Sequence, residues 1–271
     1  EEGKLNIKGG EARFSLATMP AEEFPPVEVP NSLKWTTIKG SFLKDMVSQV
    51  AAAASMDESR PVLKGVNITC KENELIMVAT DGFRVAETRW PGYSFGDAIV
   101  SAKHLIKMAE FANQDAEIAA DDNRFYFRYG PLFVMSSLIE GKYPDYEAIL
   151  PQAFKINVKA PKFELLNALN QVEIISGGYR TQLNIDDSTK MVICGQEEDT
   201  GESEVTIPVE SDGTIEISFN NYYLMDAVKS IPGDEIIFQF NDPNAPTLIK
   251  PVGAMKYFWL LMPMSKFSRR D

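Results

Sequence analysis

Residues 35–50 read WTTIKGSFLKDMVSQV, a short strand that runs directly into a helix with no loop between them. The same join returns in residues 97–112 (DAIVSAKHLIKMAEFA), 155–170 (KINVKAPKFELLNALN) and 215–230 (IEISFNNYYLMDAVKS). Taking Ile38, Val100, Val158 and Ile217 as the last strand residues, the joins recur at intervals of 62, 58 and 59 positions. Five residues after each anchor stand Leu43, Leu105, Phe163 and Tyr222, and three further on Met46, Met108, Leu166 and Met225. That i, i+3 pairing predicts one inward apolar stripe per helix. Between the helices, stretches such as GVNITCKENELIMVATDGFRVAETRW and DNRFYFRYGPLFVMSSL alternate with period two and are broken by turn residues, which predicts antiparallel hairpins. The unit is therefore strand–helix–three strands. Fixed-period self-similarity of this kind governs every local reading.

A helix with one apolar face must lie on a sheet, so two units give two helices against antiparallel strands and the fold class is α+β. Residues 31–153 form one such domain and residues 154–271 a second, with the boundary after Pro151 in LPQAFK. Residues 12–26, ARFSLATMPAEEFPP, carry a domain-ending cadence without a domain before them. Phe133, Tyr143 and Pro144 repeat Phe14, Phe24 and Pro25 after 119 positions, and FWLLMPMSKF from Phe258 repeats the cadence again. Residues 1–30 therefore read as the closing hairpin and linker of an earlier domain.

Composition narrows the function. With 271 residues, 44% of them apolar and 24% charged, the chain can bury sizeable cores. A net charge of −12 argues against wrapping nucleic acid by bulk attraction, which requires phosphate neutralisation by Lys and Arg. Much of the acid sits in expected loops such as QEEDTGESE from Gln196, leaving other faces less negative. The longest apolar run, YFWLLMPM from Tyr257, is eight residues with a proline, far short of the ~18 a membrane span needs. The opening EEGKLNIKGG lacks the apolar core of a signal peptide. Cys70 and Cys194 form neither a disulfide framework nor a zinc motif, and read as reduced, buried and cytoplasmic.

Catalytic chemistry finds little support. His104 is the sole histidine, so a nucleophile–His arrangement would have to use it, and it sits among lysines on an expected helix. Thr80-Asp81-Gly82 reads as a hairpin turn in which Gly supplies positive φ. No phosphate-binding glycine motif or metal-ligand spacing occurs, so no metal and no cofactor is expected. Lys39, Lys44, Lys103, Lys107, Lys162 and Lys229 lie on the helices, either as a solvated face or as a contact surface. Leu260, Leu261, Met262, Pro263 and Met264 read as a core strand that ends the domain.

Six stretches in this order, ARFSLATMPAEEFP, SRPVLKGVNI, VATDGFRVA, EGKYPDYEAILP, SFNNYYLMDAV and LLMPM, resemble the bacterial DNA polymerase III beta-subunit (sliding clamp) family. The resemblance runs from residue 1 to about residue 264 and lacks most of the family's first domain. It implies the DNA-clamp fold, a homodimeric ring of head-to-tail protomers, and no catalysis. It implies that Lys39, Lys44, Arg60, Lys103, Lys107, Lys162 and Lys229 face double-stranded DNA without reading its sequence. It implies a peptide groove formed by Leu63, Thr80, Gly82, Phe83, Arg84, Val85, Pro144, Ile149, Asn220, Tyr223 and Pro246 with Leu260, Leu261, Met262, Pro263 and Met264. The implied occupants are the polymerase III catalytic subunit, the clamp loader and other proteins with a clamp-binding motif. Ile174 and Ile175 would lie in the dimer interface. Phe83 and Ala148 depart from the polar and basic residues common at those positions, shifting the expected preference toward apolar contact. Two readings follow: a processivity factor that encircles DNA, or a clamp-derived adaptor that binds partner peptides without encircling it.

Overall fold

In the computed structural model, the described residues are 3–23, 29–177, 179–197, 201–253 and 255–265. Two compact units emerge, Glu1–Leu33 and Lys34–Asp271. The first contains an antiparallel hairpin of β1 (Lys4–Gly9) and β2 (Ala12–Ala17), turned at Gly10 with φ +58°. Leu5 lies opposite Leu16 and Ile7 opposite Phe14, and all four are exposed. Residues 24–28, within the expected linker, lie outside the described residues.

The second unit repeats one order of elements four times. The first repeat is β3 (Thr36–Ile38), α1 (Gly40–Val50), β4 (Gly65–Lys71), β5 (Glu74–Thr80) and β6 (Arg84–Pro91). The second is β7 (Ala98–Ser101), α2 (Ala102–Phe111), β8 (Ala116–Ala120), β9 (Arg124–Tyr129) and β10 (Leu132–Ser137). The third is β11 (Ile156–Pro161), α3 (Lys162–Ser176), β12 (Thr181–Ile185), β13 (Lys190–Glu197) and β14 (Gly201–Pro208). After the two-residue strand β15 (Glu210–Ser211) comes the fourth: β16 (Ile215–Phe219), α4 (Asn221–Ser230), β17 (Glu235–Phe240), β18 (Thr247–Pro251) and β19 (Tyr257–Leu261). The α+β reading and the strand–helix–three-strand unit hold.

Each repeat lends its first strand to a neighbour: β3 pairs with β8, β7 with β4, β11 with β17 and β16 with β12. Two four-stranded sheets result, β10-β9-β8-β3 and β14-β13-β12-β16. The remaining strands join in one nine-stranded sheet, β15-β11-β17-β18-β19-β6-β5-β4-β7, closed at its centre by the β19–β6 ladder from Tyr257↔Thr88 to Leu261↔Arg84. The four helices cover the inner faces of these sheets, α1 against α2 and α3 against α4.

The helices bury the residue at their fourth position, Leu43, Leu105, Leu165 and Leu224, each worth about 1.5–3 kcal/mol of burial. This corrects the expected stripe in the third and fourth repeats. Phe163 is 72% and Tyr222 50% exposed, Leu166 is half-buried, and Met225 alone of that set is buried. The cause is strand length: β11 continues to Pro161 and β16 to Phe219, so the helices start later and their inward residues shift by two. Gly40 is required where α1 begins, because a Cβ there would lie 2.2 Å from the carbonyl oxygen of Ala112 beyond α2. Cys70 and Cys194 are in no disulfide among the described residues and are half-buried, rather than buried as the sequence suggested.

Candidate functional site

The turn between β5 and β6 is built by its own residues. Asp81 accepts hydrogen bonds at Oδ1 from the amides of Phe83 (2.9 Å) and Arg84 (3.1 Å), while Gly82 adopts φ +96°. Thr80 Oγ1 donates to the carbonyl of Arg84 at 2.6 Å and accepts from the Gly82 amide. These bonds pin a tight turn from which the Phe83 ring projects, 58% exposed. Beyond the β19–β6 ladder the Met262 amide donates to the Phe83 carbonyl at 2.9 Å, and the Met264 amide to the Ser218 carbonyl at 2.7 Å. The end of β19 is thus held between the β5–β6 turn and the end of β16.

Arg84 ties this corner together. Its Nε donates to Asp81 Oδ2 at 3.0 Å and its Nη1 to Asp226 Oδ2 at 2.7 Å, and its guanidinium lies 4.1 Å above the Tyr223 ring and 5.7 Å from that of Trp259. A planar fork satisfies two carboxylates at once, which an ammonium could not. Burial and the Asp81 carboxylate push the Tyr223 phenol above its ordinary pKa. Asn220 caps α4, accepting at Oδ1 from the Tyr223 amide at 3.2 Å, a contact worth about 1 kcal/mol.

The expected groove residues divide by exposure. Leu63, Thr80, Arg84, Val85, Leu260 and Leu261 are buried, so they form floor and supports. Leu260 and Val85 pack with Val78 and, from the neighbouring β18, Leu248 in a small cluster on one face of the nine-stranded sheet, roofed by Tyr143, Tyr146 and Leu150. Leu261, one residue on, points into the main core. Phe83, Ile149 (49% exposed), Met262 (39%) and Pro144 are exposed, whereas Asn220, Tyr223, Pro246, Pro263 and Met264 are half-buried. Pro246 precedes Thr247, which pairs with Leu261. Sequence reasoning read Asp81 only as a turn residue and missed its bond to Arg84, along with Asp226, the second partner of Arg84, and Glu87 with its partner Tyr146. For Glu87 a signal existed, since period two in β6 sets an acid on the face that carries Val85.

The cations expected to face DNA occupy different settings. Lys103 and Lys229 are exposed on α2 and α4, and Lys39 is exposed at the start of α1, 5.4 Å over the Phe42 ring. Lys107 pairs with Glu110 at 2.9 Å, and Lys44 donates to Asn113 at 2.7 Å. Lys162 is not free for an outside anion. Its Nζ donates to the carbonyls of Lys229 and Ile231 at the end of α4, where the helix dipole favours a cation, and burial lowers its pKa. Arg60 lies on no helix face. It pairs with Asp57 at 3.0 Å, and its guanidinium is 3.3 Å from where a Cβ on Gly82 would sit, which places it beside the β5–β6 turn. The four helices together carry five lysines and five acids, so their layer is neutral rather than basic while the chain carries −12.

His104 Nδ1 lies 2.7 Å from Ser136 Oγ on an exposed turn of α2. At the end of α3, Ile174 is 79% exposed and Ile175 half-buried. Among the described residues no cluster of His, Cys, Asp and Glu could hold a metal, and no helix is long and apolar enough to cross a membrane.

Residues 37–145 match the family model for the DNA polymerase III beta subunit, central domain, and residues 147–265 that for its C-terminal domain. The chain belongs to the DNA polymerase III beta-subunit family. The beta sliding clamp of Pseudomonas aeruginosa is 30% identical over 276 residues, covering 97% of this chain and 74% of that protein. Among solved structures, the beta subunit from Thermotoga maritima is 27% identical with a TM-score of 0.85, covering 98% of this chain and 75% of that one. A P. aeruginosa sliding clamp bound to griselimycin is 28% identical with a TM-score of 0.86, covering 98% and 74%. The chain is therefore a sliding clamp, a non-catalytic processivity subunit of DNA polymerase III that works with DNA and with clamp-binding partners such as the polymerase.

Proposed function

We propose that this clamp lays its helix layer against duplex DNA and offers the corner formed by the β5–β6 turn and the end of β19 to a short linear peptide. Polymerase, clamp loader and other clamp-binding proteins would share that corner. Two copies would meet through a surface that includes Ile174 and Ile175, in the cytoplasm. The observation that carries the docking reading is the Met262–Phe83 backbone bond, which sets two exposed apolar side chains from the first and the fourth repeat side by side at the β5–β6 turn. Methionine beside an aromatic ring repacks readily around different partners.

A peptide containing Gln, then Leu, then a terminal Phe or Leu should bind with micromolar affinity. Burial of one such anchor stabilises the complex by about 1.5–3 kcal/mol, and ordering costs offset part of that. Joint replacement of Phe83 and Met262 by alanine should weaken binding at least roughly tenfold in a calorimetric titration. Unchanged affinity would overturn the groove assignment.

For the helix layer, neutrality on a chain of −12 removes repulsion of phosphate without creating a fixed grip, which suits a subunit that must slide. Joint replacement of Lys39, Lys103 and Lys107 by Glu should weaken DNA association and flatten its salt dependence while sparing peptide binding. Single changes should be barely visible, because each exposed contact is worth only ~0.2–1 kcal/mol. An unaltered salt slope in the triple variant would mean that these helices do not face DNA.

A further inference from the structure

The connection between β10 and β11 crosses the nine-stranded sheet and seats Tyr143, Tyr146 and Leu150 on Val78, Val85 and Leu260. Beneath it lies Glu87, a carboxylate only 2% exposed. The Tyr146 phenol donates to Glu87 Oε2, and Arg89 Nε donates to Glu87 Oε1 at 2.5 Å. Burial, reinforced by the Glu87 carboxylate, raises the Tyr146 phenol above its ordinary pKa, so it remains the donor at neutral pH. The backbone of Tyr146 is the hub of the same segment: its amide donates to the Pro144 carbonyl at 3.0 Å, and its carbonyl accepts from the Ile149 amide at 3.2 Å. A surface pair, Lys71 with Glu147 at 2.8 Å, adds a weaker tie.

We infer that Glu87 and Tyr146 are a positioning pair: the buried hydrogen bond between them holds the segment bearing Pro144 and Ile149 against β6 and so sets the geometry of the peptide groove. This rests on the groove reading above. Neither side chain touches the peptide; they act through the exposed residues flanking Tyr146. A buried carboxylate that loses one donor keeps its desolvation cost, so the segment above it should loosen locally while the helices and outer sheets stay intact.

Tyr146→Phe and Glu87→Gln in the full chain separate the possibilities, read by calorimetry with the Gln-Leu-Phe peptide and by amide hydrogen exchange. Tyr146→Phe should speed exchange at the Ile149 and Leu150 amides, leave β12 and β13 as protected as before, and weaken the peptide about tenfold, the scale of a hydrogen bond to a charged group. Glu87→Gln leaves one acceptor oxygen for two donors, the Tyr146 hydroxyl and Arg89 Nε, and should likewise speed exchange at the Ile149 and Leu150 amides. Unaltered exchange at Ile149 and Leu150, or unaltered affinity in Tyr146→Phe, overturns the pair and leaves the groove standing. Failure of the unmodified chain to bind the peptide overturns the groove reading and with it the role in affinity. Accelerated exchange across β12 and β13 as well would show a general loss of stability and also overturn the pair.

Discussion

Arg84→Ala should lower the stability of the unit Lys34–Asp271 by about 3–5 kcal/mol, the cost of removing one partner from a buried ionic cluster. The loss is large because two carboxylates depend on one guanidinium. The Asp81 side chain is 10% exposed, and it also builds the turn that presents Phe83; Asp226 holds the other side of the fork from α4. Arg84→Lys should recover only part, since an ammonium can serve one carboxylate but not both and does not stack on Tyr223 as a planar group does. Urea unfolding followed by far-ultraviolet circular dichroism is the measurement. A midpoint shift equivalent to under about 1 kcal/mol would mean that solvent replaces the guanidinium without penalty.

Trp259→Ala should cost a similar amount, about 3–5 kcal/mol, as expected for truncating a fully buried indole. Trp259 lies at the centre of β19 opposite Ala86, and its Nε1 donates to the Gln49 carbonyl on α1 at 3.2 Å and to the Tyr257 hydroxyl. Tyr257 donates to the same carbonyl at 2.9 Å. The cavity would therefore open where a strand from the end of the chain meets the first helix of the unit. Because the same strand delivers Met262, peptide affinity should fall along with stability, whereas Trp259→Phe should retain most of both. Equal stability of the alanine variant and the unmodified chain in the same urea titration would show that the strand ladder alone carries this junction.

The repeat was legible in the sequence because its signals are local. A switch from period two to an i, i+3 stripe at Ile38 and Val100 needs only a dozen residues to be seen, and there the expected inward residues Leu43, Met46, Leu105 and Met108 are all buried. At Val158 and Ile217 the same template slipped, since nothing local marks whether Lys159–Pro161 or Ser218–Phe219 still belongs to the strand; pairing with β17 and β12 decides it. At the site, the turn of Thr80, Asp81 and Gly82 was readable from its residue types. Arg84 was named, but Asp226, its partner 142 positions away, was not. The burial of Leu260 and Val85 beneath Tyr146 was hidden too, for alternation tells which residues share a face and not what lies over it. Lys162 shows the converse error: a lysine opening a helix looks free until the end of another helix is found to occupy its ammonium.

The loan of each first strand to a neighbouring sheet bears on how the chain is made. Ile38 pairs with Ala116, and Val158 with Phe238, so β3 and β11 each leave the ribosome long before their partner strands. At about 5–20 residues per second, a gap of 78 or 80 positions leaves each strand waiting roughly 4–16 seconds. During that interval α1 and α3 have been synthesised while β3 has no ladder and β11 has at most its two-residue pairing with β15, and a nascent edge of this kind is open to pairing with another chain. Lys39 and Lys159, which follow or occupy those early strands, place a positive charge beside each orphaned edge, where it discourages association between neighbouring nascent copies.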